Sequence, residues 1–177
     1  VRITSPTNAQ AGDLGPVIQA KALSLRSEEL VVADSWQELT VNSLEDVSIS
    51  LLQSPINLTP GIPMLVKVEI VNNGNGPTIA LLDLPWSPDS WEWWALVDGV
   101  NVTGGIPLSV SYDLENIKQV DLWLLLPSLE APGEFHEITV QVSPENGVDI
   151  KTDDNSVIFE CITETIRQPK LDGYAGE

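Results

Sequence analysis

An all-β fold of antiparallel sandwich type is what this sequence predicts, from three features. Hydrophobic residues alternate with a period of two, turn-forming clusters separate the alternating runs, and helical periodicity is scarce. Period-two alternation turns successive side chains to opposite faces of a pleated strand, so a half-buried strand shows apolar and polar residues in turn.

The run Met64–Val71 states the pattern most clearly. Met64, Val66, Val68 and Ile70 fall on one face, with Lys67 and Glu69 on the other. Val47, Ile49 and Leu51 alternate in the same way against Ser48 and Ser50, and Ile138, Val140 and Val142 against Glu137, Thr139 and Gln141. Val120, Leu122, Leu124 and Leu126 share a face, but Trp123 and Leu125 lie on the opposite one. Ile106, Leu108, Val110 and Tyr112 alternate, whereas Ser156–Ile162 is apolar on both sides. Near the start, Pro16–Leu25 and Glu29–Ser35 are weaker patterns that fit strands or a short helix. Between the runs stand Asn72-Asn73-Gly74-Asn75-Gly76-Pro77, Val97-Asp98-Gly99, Thr103-Gly104-Gly105, Ala131-Pro132-Gly133 and Pro144-Glu145-Asn146-Gly147, all turn chemistry.

Length and composition suit one substantial domain. The chain has 177 residues, 42% of them hydrophobic, enough to bury a core. The Pro-rich stretch Gln53–Pro63 is the candidate boundary, giving an arm with leading strands over residues 1–50 and a sandwich with a C-terminal tail over 51–177. No apolar stretch is long enough to span a bilayer, so membrane insertion is not expected.

Charge excludes more. Eight Lys and Arg against 26 Asp and Glu leave a formal charge of −18, which repels phosphate and argues against nucleic-acid binding. It also repels further copies of the chain, so self-association needs screening by salt or divalent cations. Calcium is the natural cation for such a surface, because its preferred ligands are hard oxygens. Cys161 has no second cysteine to pair with and reads as a small buried hydrophobe. A chain beginning at Val1 is expected to be a processed, exported product or a trimmed piece.

Two blocks carry a family resemblance. Thr59–Pro77, with its Pro60-Gly61 turn, alternating strand and Asn-Asn-Gly-Asn turn, is similar to the opening of the CARDB (cell-adhesion-related) modules of prokaryotic surface proteins. Ala131–Phe159 resembles their closing half: a Pro-Gly turn, the penultimate strand, an acidic segment ending in Asn155 and the last strand. The resemblance covers about Thr59–Thr163. It implies an immunoglobulin-like sandwich, with a jelly-roll variant as the alternative, used in extracellular display or adhesion, and it carries no catalytic residues to transfer. The middle, Leu84–Gly105, is longer and richer in Trp than the family's hairpin, and the first fifty residues have no counterpart.

Catalytic machinery is hard to assemble from these residues. His136 is the only histidine, so a multi-histidine zinc site is impossible, and neither a nucleophile elbow nor a phosphate loop occurs. His136 is expected to be solvated. The unusual feature is aromatic: Trp86, Trp91, Trp93 and Trp94 fall within nine residues, with Trp123 on a later strand. Core filling explains them, as does a sugar-stacking platform or a subunit contact. Trp91, Trp93, Trp94 and Trp123 are the candidate contact anchors.

Acidic turn residues Asp149, Asp153 and Asp154 are candidate calcium ligands, although their spacing is not that of an EF-hand, and solvated turn acids are the simpler reading. Asn57 in Asn-Leu-Thr and Asn101 in Asn-Val-Thr are candidate glycosylation sites, both expected in loops. In the arm, Val1 and Ile3 alternate against Arg2 and Thr4. Such a segment suits either the chain's own sandwich or the sheet edge of another subunit, its apolar side chains filling pockets there. The sequence therefore points to a secreted or cell-surface subunit, not an enzyme. It is expected to assemble with itself into a filament, tube or surface layer by strand donation. A module that binds cell-surface glycans is the alternative.

Overall fold

The structure is a computed structural model, and it describes residues 4, 6, 8–15, 18–23, 30–37, 39–85, 91–110, 113–128 and 131–165. Strands β1 (Ile18–Leu23) and β2 (Leu30–Gln37) pair antiparallel only with one another. The other strands form two five-stranded sheets. One runs β3 (Val47–Gln53), β5 (Met64–Asn72), β10 (Ile117–Leu125), β7 (Glu92–Val97), β8 (Val100–Asn101). The second runs β4 (Asn57–Leu58), β12 (Ser156–Thr163), β11 (Phe135–Pro144), β6 (Thr78–Asp83), β9 (Ile106–Leu108).

Every pairing is antiparallel except that of β4 with β12. The order β3-β5-β10-β7 matches strands A, B, E and D of an immunoglobulin-type sandwich, and β6-β11-β12 matches C, F and G. The topology thus gives the immunoglobulin-like fold and not the jelly roll.

Alternation explains the core. Val66, Val68 and Ile70 of β5, Val120, Leu122 and Leu124 of β10, and Ile138, Val140 and Val142 of β11 are all buried between the sheets. Burying each contributes roughly 1.5–3 kcal/mol. Cys161 is buried among them, and desolvation pushes its thiol pKa up to about 11.

Turn chemistry sets the register. Asp98 and Gly99 both have positive φ, 49° and 79°, as a two-residue hairpin turn of the primed type requires, and they join β7 to β8. At the turn after β5, Asn72 is fully buried. Its Nδ2 donates to Gly76 O and Ser109 O at 2.8 and 2.6 Å, and its Oδ1 accepts from Gly74 N at 2.9 Å. Gly74 has no room for a side chain, since a Cβ there would lie 2.4 Å from Leu44 O.

Some expectations change. The boundary at residue 50 falls inside β3, and Gln53–Pro63 carries β4 across from one sheet to the other, so that stretch belongs to the sandwich. Residue Val110 lies beyond the end of β9, and Tyr112 lies outside the described residues. Part of the arm is tied down: Ala11 N donates to Asn75 O, Gly12 N to Val41 O, and Leu14 bridges to Thr40.

Candidate assembly surfaces

The tryptophans separate by parity. Trp91 is 6% exposed and belongs to the core, while Trp93 is half-buried and packs against it. Burial takes Trp91 off the surface, whereas Trp93 keeps part of its area accessible. Alternation then turns Trp94 to the outer face of its sheet. Register places it directly opposite Trp123 of β10, which in turn faces Leu65 of β5. The two indoles lie parallel, with centroids 6.3 Å apart and planes 7° from one another. One row away, Asp121 stands between Leu96 and Lys67 and pairs with the lysine at 3.6 Å. The result is an apolar row, Leu65–Trp123–Trp94, across three strands on a half-exposed sheet face, bordered by a weak ion pair. Trp86 lies outside the described residues, as do Val1 and Ile3.

His136 is partly buried and not fully solvated. It follows the inward parity of Ile138, meets the Trp91 ring edge-on at 4.9 Å, and its Nε2 lies 2.8 Å from Thr163 Oγ1. It is a polar stopper at one end of the core.

The acidic candidates do not converge on a cation. Asp149 is buried and uses both oxygens on backbone donors, Oδ2 accepting from Val47 N and Oδ1 from Lys151 N, each at 2.8 Å. It therefore ties the β11–β12 connection to the start of β3. Asp154 pairs with Lys151, and Asp153 is exposed. Among the described residues no three His, Cys, Asp or Glu side chains gather as a metal cage. Nearby, burial first and the charges of Asp149 and Asp154 next raise the carboxyl pKa of Asp46, while Asn73 and Lys151 lower it.

Both sequon asparagines are exposed but lie in two-residue edge strands, not loops: Asn57 in β4 and Asn101 in β8. Asn101 Oδ1 accepts from Thr103 N at 3.0 Å, closing a local turn.

What the sequence reading missed is the edge of β12. Its outward side chains Ile158 and Ile162 are 56% and 43% exposed, flanking Glu160. The signal was present as a run apolar on both faces, which an interior strand and an exposed edge share.

No family model and no curated protein matches the chain. Among solved structures it is similar to the CARDB domain of PF1109 from Pyrococcus furiosus, at 15% identity and TM-score 0.39, covering 68% of this chain and 96% of that one. It is also similar to a family 123 glycoside hydrolase from Clostridium perfringens, at 11% identity and TM-score 0.45, covering 71% of this chain but only 28% of the hydrolase. Domains 4 and 5 of the S-layer protein SbsC match at 11% identity and TM-score 0.35, covering 77% of this chain and 63% of that one. The CARDB resemblance read from the two sequence blocks recurs here.

Proposed function

We propose that this chain is a non-enzymatic structural subunit of the cell exterior that assembles with copies of itself by donating a strand from its N-terminal segment. The observation that carries this reading is an immunoglobulin-like sandwich that leaves both a sheet edge and an aromatic outer face unpartnered among the described residues. A strand added to a sheet edge gains affinity from main-chain hydrogen bonds and specificity from alternate side chains. Aromatic residues such as Trp94 and Trp123 are the side chains most enriched at contact hot spots.

A charge of −18 opposes close packing of copies, so assembly requires salt or a divalent cation. Calcium acts in this proposal by screening the surface carboxylates as a whole, since Asp149 is already committed to backbone donors. Glycans on Asn57 and Asn101 are compatible with their exposure.

The parallel Trp94–Trp123 pair favours one second reading, a glycan-binding module that stacks a sugar on the half-exposed indoles. Negative-stain imaging of the purified chain at 0.15 M salt, with and without added calcium, separates the two. Filaments, tubes or sheets support the structural subunit. Monodisperse particles that bind glycan on an array overturn it in favour of the module.

A further inference from the structure

The free edges of the two sheets are not equivalent. Natural sheets blunt their edges with short strands, bulges, prolines or covering groups, because a bare edge pairs with whatever strand it meets. Three of the edges here are blunted. β8 is two residues long, and β9 is three with Pro107 at its centre. β3 carries a bulge between Leu51 and Gln53, and Asp149 caps its Val47 N–H.

The fourth is different. β4 covers only Ile162 and Thr163 of β12, so on the side away from β11 Ser156–Cys161 has no strand beside it among the described residues. Ile162 N donates to Ile56 O and Glu164 N to Leu58 O, which fixes the direction of the even-numbered backbone groups of this strand. By the two-residue period, those of Ile158 and Glu160 point the same way, into the open edge.

Side chains add a second demand. Glu160 and Glu137 of β11 are register partners, both exposed on the outer face, and like charges directly opposite are destabilising. On the inner face of the same edge, half-buried Val157 packs against the core beside buried Phe159. An occupant of this edge must therefore present apolar side chains inward and a cation outward, at alternate positions.

Resting on the assembly reading above, we propose that the open edge of β12 is the acceptor, and that its occupant is the segment Val1–Thr4 of a second copy. In a chain with 26 acids the first twelve residues contain none and include Arg2. Val1 and Ile3 share one face of an extended strand, and Arg2 and Thr4 the other. Placing Val1 and Ile3 inward extends the core beside Phe159 and Cys161, the inward neighbours of Glu160. The same register sets Arg2 on the outer face beside Glu160 and Glu137. Backbone pairing, apolar fill and charge neutralisation are met by one alignment.

The test mixes two full-length variants, both carrying Cys161→Ala, one with Arg2→Cys and the other with Glu160→Cys. Oxidation under assembly conditions is expected to give a covalent heterodimer, at least tenfold more than when Glu92→Cys, on the exposed face of the other sheet, replaces Glu160→Cys. Glu160→Pro, which deletes the outward N–H, is expected to abolish assembly with an unchanged circular-dichroism spectrum. Polymers that form without the heterodimer, or a chain carrying both cysteines that closes only within itself, overturn the acceptor assignment and leave self-assembly standing. A parent chain that stays monomeric in every condition overturns both.

Discussion

Trp94 and Trp123 stand opposite one another on neighbouring strands, their rings parallel within 7° and their side chains turned away from the core. A soluble sheet face is ordinarily polar, and an aromatic cross-strand pair there serves either the local ladder or a partner. The ladder contribution of such a pair is modest, about 0.5–1.5 kcal/mol beyond the area it covers.

A double-mutant cycle over Trp94→Ala and Trp123→Ala should therefore give a coupling near 1 kcal/mol in urea unfolding, and each single variant should stay folded. Assembly, read by light scattering, should fall much more than stability does. Trp91→Ala behaves differently: it opens a cavity in the core and should cost about 3–5 kcal/mol. Equal stability losses at Trp91 and Trp94 would contradict the separation of the two by parity.

Asn72 is the polar pin of the sandwich. Asn72→Ala leaves Gly74 N, Gly76 O and Ser109 O without their partner in a buried site and should cost about 2–3 kcal/mol in denaturant unfolding. Asn73→Ala, one residue on and exposed, should change stability by less than about 0.5 kcal/mol.

The core faces of β3, β5, β10 and β11 follow directly from alternation, because one side of each sheet is buried and any slip by one residue would expose it. The outward turn of Trp94 and Trp123 follows from the same parity. Trp91 and His136 were not legible, since they lie at strand ends where the core is closed from below and the pattern gives no sign of depth. Asp149 was misread for a related reason. A turn acid looks the same whether it faces water, a cation or two backbone N–H groups, and only the fold brings Val47 beside it. The β12 edge, open among the described residues, was hidden because hydrogen-bond partners of a backbone leave no trace in side-chain pattern.

Burial governs the thiol of Cys161. With its pKa raised to about 11, it should resist alkylation at pH 8 in the folded protein and react fully once urea unfolds the chain. Mass spectrometry over a urea series measures this, and rapid labelling of the native chain would contradict the packing of β12 on β11.

Asp46 gives a pH signature of defined sign. Its folded pKa lies above the ordinary carboxylate value of 3.8, so between the two values the folded state binds more protons than the unfolded one. Its contribution to stability is thus lost as pH rises through that window, and at neutral pH the ionised group is a small liability. Asp46→Asn should raise stability at pH 7 by a few tenths of a kcal/mol, about 0.5 at most, and the gain should vanish below pH 4. Melting curves across pH read this directly, and a destabilised variant at pH 7 would contradict it.

Strand donation is tested most directly by sedimentation velocity of the full chain beside a chain lacking Val1–Thr7, in the same salt and calcium. The full chain should sediment as large polymers and the shortened one as a folded monomer with the same circular-dichroism spectrum. A shortened chain that polymerises to the same extent would contradict the account.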